Sequence, residues 1–131
     1  MNAPTLICPP MLGQHLLLDM QGVLAAALTD AVHIERVLRD AAHAAGATVV
    51  DARLHHFGPG LGVTGVLLLK ESHISIHTWP EYGYAAVDIF MCGTAQPALG
   101  VDVIVDMLRP VHWQVRDHAR GPGFARPAQP V

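Results

Sequence analysis

The sequence is short of cysteine, of charge and of long apolar runs, and each shortage excludes something. Two cysteines, Cys8 and Cys92, do not make a disulfide framework, so a reduced, cytoplasmic setting is the simpler reading. Charged residues make up 15% of the chain and the formal net charge is −3 at pH 7, so no basic stripe is available for nucleic acid. Apolar runs such as GVLLL at 65–69 are strand-length and far short of the ~20 residues of a membrane span. No basic n-region followed by an apolar h-region opens the sequence, so no secretory signal is expected. What is abundant is apolar surface to bury, 51% of 131 residues. That reads as one folded domain, since a second could not bury its own core at this size.

The proline-punctuated opening MNAPTLICPP is expected to be a loose arm, and Cys8 within it is given only a structural part. Residues 14–23, QHLLLDMQGV, read as a buried strand. From Thr29 or Asp30, either of which can cap a helix, apolar residues recur at helical spacing through Val32, Ile34, Val37, Leu38, Ala41 and Ala45 until Gly46. Strands follow over 47–57, over 63–71 and over 73–79. PEYGY then turns the chain into a further strand, AAVDIFMCG. A second helix fits 96–109 and a last strand fits 110–118. Short adjacent strands with two separated helices predict an α+β two-layer sandwich, its mostly antiparallel sheet covered on one face. The single domain is expected to span 1–118, with 119–131, rich in Pro, Gly and Ala, as a flexible tail.

The stretch ESHISIHTW at 71–79 carries more polarity than a core strand needs. Alternation puts His73, Ser75 and His77 on one face and Ile74 and Ile76 on the other. The bland reading of His73 is a hydrogen-bonded strand histidine, and of Cys92 a small buried hydrophobe. His73, His77 and Cys92 are suitable zinc ligands by type, but their spacing matches no zinc motif and no metal is assigned.

Taken together, KESHISIHTWPEYGYAAVDIFMCG closely resembles the core of the prokaryotic S-adenosylmethionine decarboxylases, a pyruvoyl-dependent family. The resemblance extends to LGQHLLLDMQG, AGATVVDARLHHF and GVTGVLLLKESH, and so to residues 12–118. Decarboxylating an amino acid leaves an α-carbanion that needs an electron sink, and ordinary side chains provide none. A ketone beside an amide can form a Schiff base with the substrate amine and spread that charge. The resemblance implies that this ketone is a covalent pyruvoyl group made from Ser72, whose hydroxyl attacks the Glu71 carbonyl. Chain cleavage then gives fragments 1–71 and 72–131. It further implies Thr64 as a helper in processing, His77 as the base that removes the Ser72 α-proton, and Cys92 as proton donor to the carbanion. A thiol is mostly protonated at neutral pH and suits that task. A straight strand would set Ser72 and His77 on opposite faces, so either the backbone bends near Ser72 or the contact comes by another path.

Phe57 and Trp79 resemble the family's aromatic contacts to adenine and sulfonium, and Glu81 a carboxylate for the ribose hydroxyls. The resemblance therefore implies a small amino-acid-type substrate, S-adenosylmethionine, feeding spermidine synthesis. No membrane or nucleic acid partner is implied, and the working unit is a homodimer with active sites near the subunit interface. Three positions depart from the family pattern: FGPGLGVTG holds one residue more, Met91 precedes the cysteine, and Gln14 stands where a basic residue is common. Two alternatives stay open at this point. The same machinery could decarboxylate ornithine or arginine, with Glu81 or Asp88 for the distal cation, or the chain could be an uncleaved regulatory relative.

Overall fold

The structure, a computed structural model, describes residues 12–121; Cys8, the opening arm and most of the expected tail lie outside the described residues. Apolar alternation builds the first strand, β1 (Gly13–Gln21), whose Leu16, Leu18 and Met20 point into the core. A short helix absent from the sequence reading, α1 (Ala25–Leu28), follows and buries Leu28. Helix α2 (Ala31–Ala45) starts where expected. The Asp30 side chain accepts from the His33 amide, and Gly46 at φ 83° ends the helix by donating to Ala42 and His43. Its buried stripe of Ile34, Val37, Leu38, Ala41, Ala42 and Ala45 is the helical spacing seen in the sequence.

Strands β2 (Val49–His56), β3 (Val63–Leu69), β4 (Ser72–Trp79) and β5 (Tyr84–Cys92) form a meander, with a 3-10 turn at Pro80–Tyr82 before β5. Helix α3 (Pro97–Leu108) and strand β6 (His112–Arg120) complete the chain. The last strand runs two residues beyond the expected 110–118 because it pairs along all of β1, from Gln21↔His112 to Gly13↔Arg120. The sheet order is β2-β3-β4-β5-β1-β6, and every pair is antiparallel. The expectation of a two-layer α+β sandwich is met, with three helices rather than two.

One sheet face meets the helices. Leu67, Ile74, Ile76, Val87, Ile89 and Met91 sit there fully or almost fully buried against Ile34, Leu38 and Ile104. Each such side chain contributes about 1.5–3 kcal/mol relative to exposure. Helices α2 and α3 pack on each other, and Gly100 makes this close: a Cβ there would lie 3.3 Å from the Ala41 carbonyl oxygen. Met91, next to Cys92, turns its side chain into this layer and is almost fully buried. Gln14 on β1 reaches across to the edge strand β6, where its Nε2 donates to Asp117 at 2.9 Å.

Among the described residues, no helix covers the opposite sheet face. Across it run His55, Thr64, His77, Trp79, Tyr84, Asp88, Cys92, His15, Asp19 and Arg116, fixed there by the pairing registers. Val66, Leu68 and Trp79 on this face are 39%, 50% and 39% exposed, which leaves apolar surface open to solvent.

Candidate active site

Leu69 and Ser72 pair across a two-residue hairpin turn, Lys70–Glu71. Glu71 has φ 60°, a left-handed conformation that costs a non-glycine residue about 1–2 kcal/mol. The strain therefore sits on the residue whose carbonyl precedes Ser72. The Ser72 hydroxyl is half-buried and accepts a 3.3 Å hydrogen bond from the Cys92 amide. Strand pairing thus brings the serine and the half-buried Cys92, twenty residues apart in sequence, to the same end of the sheet.

Thr64 and His77 face each other across β3 and β4, with Oγ1 3.0 Å from Nδ1. Around them lie the other predicted contacts. Trp79 is 6.1 Å from His77 between ring centroids, and Phe57 packs on His55, the register partner of Thr64, at 4.6 Å. Glu81 is exposed on the 3-10 turn just beyond Trp79. The structure therefore brings together Thr64, His77, Phe57, Trp79 and Glu81 at one end, and Glu71, Ser72 and Cys92 at the other. It does not bring the two groups together within one chain. β4 is a regular strand from Ser72 onward, with no bend. Five residues at about 3.3 Å each separate Ser72 from His77 by about 16 Å.

The loop over 57–62 is compact. Phe57 donates to Gly62, Leu61 donates to Gly58, and Gly62 lies so close to Thr78 that a Cβ would meet its carbonyl oxygen at 2.0 Å. Gly62 thus leads the chain into β3 close beneath Thr78. The buried Thr78 hydroxyl donates to Leu28 and accepts from the Val63 amide, each at 2.8 Å, and so ties α1 to this end of the sheet.

The open face also carries groupings that sequence spacing did not reveal. His15, His73 and Asp88 come from three strands and place one ligating atom each within 4.8 Å of the others. Arginine only donates, so the 3.2 Å contact from Arg120 to His15 Nδ1 leaves the ring proton on Nε2. That nitrogen faces Asp88 at 3.3 Å, close enough for attraction but not aligned as a hydrogen bond, and its lone pair is not free for a metal. His73 stacks on Phe90, ring centroids 5.9 Å apart and planes inclined by 23°. Tyr84 donates its hydroxyl to Asp19, and that hydrogen bond, with burial and the carboxylate charge, pushes the phenol up to about 12. A cavity of about 320 Å³ at mid-face is lined by Asp19, Ser75, His77, Asp88 and Arg116 among others.

An antiparallel sandwich with these residues on its bare face is the frame of a decarboxylase, and the comparisons with known proteins agree. The family described as S-adenosylmethionine decarboxylase matches residues 14–121. The S-adenosylmethionine decarboxylase proenzyme of Methanococcus aeolicus is 46% identical over 111 residues, 84% of this chain and 94% of that protein. The proenzyme of that name from Thermodesulfovibrio yellowstonii is 43% identical over 72% of this chain and 70% of its own. The crystal structure of the adenosylmethionine decarboxylase from Aquifex aeolicus superposes with TM-score 0.81 and 34% identity, covering 94% of this chain and 100% of that one. The chain belongs to the S-adenosylmethionine decarboxylase family.

Proposed function

We propose that the chain is a proenzyme that cuts itself between Glu71 and Ser72 and then decarboxylates S-adenosylmethionine, as its relatives' names indicate for them. The observation that carries the reading is the left-handed Glu71 at a tight turn, directly followed by a serine whose hydroxyl is held by the Cys92 amide. The unfavourable φ of Glu71 raises the energy of the intact turn, and cutting the chain after this residue frees its backbone to leave that conformation.

The Ser72 oxygen adds to the Glu71 carbonyl and the amide nitrogen leaves, giving an ester and a free amine. Loss of the Ser72 α-proton then expels the Glu71 carboxylate as the end of fragment 1–71. The dehydroalanine left on fragment 72–131 takes up water, loses ammonia and becomes pyruvoyl. The residues present fit that group: it needs a serine at the head of a strand, with fragment 1–71 held in place by the β3–β4 pairing after the cut. When present, pyruvoyl supplies an electron sink for the charge left by carbon dioxide. Cys92, beside Ser72, is suited to return a proton to the substrate carbon.

Thr64 and His77 complete the site from a second copy. Within one chain they are about 16 Å from Ser72 along the strand, out of reach for proton transfer. A partner lying across the open face with its strands reversed would set its own Thr64–His77 pair, Phe57, Trp79 and Glu81 against the end of the sheet where Cys92 lies and where the Glu71–Ser72 bond closes the turn. The exposed Val66, Leu68 and Trp79 give that face apolar area to bury. The working unit is therefore a homodimer with two composite sites. No helix among the described residues is long and apolar enough to cross a membrane, and with two cysteines in the chain the reduced, cytoplasmic reading fits.

The aromatic band of Phe57, Trp79 and Tyr84 favours a substrate with a flat ring, and the relatives named above are all adenosylmethionine enzymes. The deciding experiment is a denaturing gel with intact-mass analysis of purified protein. Two fragments ending and beginning at Glu71 and Ser72, the second trapped by a hydrazine, and carbon dioxide release from S-adenosylmethionine are expected. A folded chain that stays in one 14.0 kDa piece overturns the reading.

A further inference from the structure

The open face carries one chain of polar contacts that the reaction steps above do not use. Tyr84 of β5 donates to Asp19 of β1, and Asp19 Oδ2 takes Arg116 of β6 at 3.0 Å. Three neighbouring strands thus hold one phenol oxygen. The ring that this oxygen ends packs on Trp79, centroids 5.4 Å apart and planes inclined by 35°. Trp79 itself is 39% exposed and has solvent on its outer side. With Tyr82 and Gln21 the two rings line an open depression of about 600 Å³ next to His77.

An exposed aromatic side chain loses rotamer freedom when a ligand stacks on it, and one held beforehand loses less. A phenyl ring would fill the same space between strands. The hydroxyl adds a fixed anchor at the far end of the ring, and so sets the angle at which Trp79 rests. We propose that the Arg116–Asp19–Tyr84 chain is a positioning device that holds Trp79 ready for the flat heteroaromatic part of the substrate. Tyr84 and Asp19 are then positioning residues that determine specificity while standing away from the reacting atoms. The inference rests on the adenosylmethionine reading, since a straight-chain amino acid has no ring to receive.

Tyr84→Phe keeps the ring and removes the anchor, and Asp19→Asn keeps an acceptor but drops the attraction to Arg116. Both are made with Trp113→Phe, so that Trp79 is the one tryptophan left of the two. In Tyr84→Phe, KM for S-adenosylmethionine rises about fivefold or more while kcat stays within about twofold, the pattern of lost binding common to ground and transition states. Self-cleavage keeps its rate and the emission anisotropy of Trp79 falls. Asp19→Asn shows the same pattern at smaller size. Unchanged KM and anisotropy in both variants overturns the inference, as does a joint fall of kcat and cleavage, which marks a purely structural role. Anisotropy needs no turnover. Parent protein that never acts on S-adenosylmethionine thus overturns the functional reading, while the fluorescence still judges the anchor.

Discussion

Thr64 and His77 touch at 3.0 Å, yet the serine they are expected to serve lies five residues down the same strand. Their hydroxyl and imidazole sit on the bare face of the sheet, matched by register across β3 and β4. In the proposed shared site, this pair serves the Ser72 of a second copy. Ser72→Ala and His77→Ala each block cleavage when expressed alone. Expressed together, mixed dimers contain one composite site with an intact Ser72 and the partner's intact His77. Cleavage of the His77→Ala chain in the mixture is the expected result, read by mass on the gel. Absence of any cleaved chain, with mixed dimers shown to form, sinks the shared-site arrangement.

Cys92 contributes its backbone amide to Ser72 and its thiol to the proposed proton return. The two parts separate by substitution. Cys92→Ala keeps the amide, so cleavage into two fragments proceeds. Turnover falls by about 10² or more, the usual worth of a placed proton donor. Cleaved but nearly inactive protein is the outcome to look for in a gel and a carbon dioxide assay run on one preparation.

Gly62 and Gly60 stand two residues apart in one loop, and the structure separates their tolerance. A Cβ at Gly62 would overlap the Thr78 carbonyl at 2.0 Å, whereas at Gly60, φ 74°, nothing lies within 4 Å. Gly62→Ala is expected to cost about 2 kcal/mol or more from forced backbone movement. Gly60→Ala costs only the left-handed strain of about 1–2 kcal/mol. Urea unfolding of the two variants compares them, and equal losses would contradict the close approach. Thr78→Val in the same loop wall leaves the buried Leu28 carbonyl and Val63 amide without partners, a further cost of about 1–3 kcal/mol.

Tyr84 gives a pH prediction with a definite sign. Its phenol is raised from the ordinary 10.0 to about 12, so the folded state favours the protonated form more than the unfolded chain does. The stability this supplies is complete below pH 10 and is lost as pH rises through about 12. Absorbance at 295 nm in the intact protein should show a phenol titrating near that upper value, missing in Tyr84→Phe. Circular dichroism on the same samples reports the fold. A step near 10 assigned to Tyr84 in folded protein would show that Asp19 does not hold the hydroxyl.

Much of the fold was legible because it obeys local rules. Asp30 and Gly46 bound α2, the apolar run within 14–23 marks β1, and apolar residues at helical spacing within 96–109 mark α3. The four-residue α1 was not legible, since AAAL is too short to show a period and is kept in place by Leu28 and the Thr78 hydroxyl. The placement of β1 between β5 and β6 was also hidden. That neighbourhood depends on contacts separated by about a hundred residues, such as Gln14 with Asp117. The same is true of Asp19, Tyr84 and Arg116, three unremarkable residues in sequence that become one network only when their strands align.

Sequence by itself determined the chemistry available to this protein: a serine after Glu71, a cysteine, a histidine and a threonine, in an order that no ordinary core strand requires. Tertiary structure alone decided which of them meet. Antiparallel register carries Cys92 to Ser72 and Thr64 to His77, while the rigid rise of β4 holds the two pairs apart. Side-chain type is a local property of the chain, but distance between strands is set by the whole sheet.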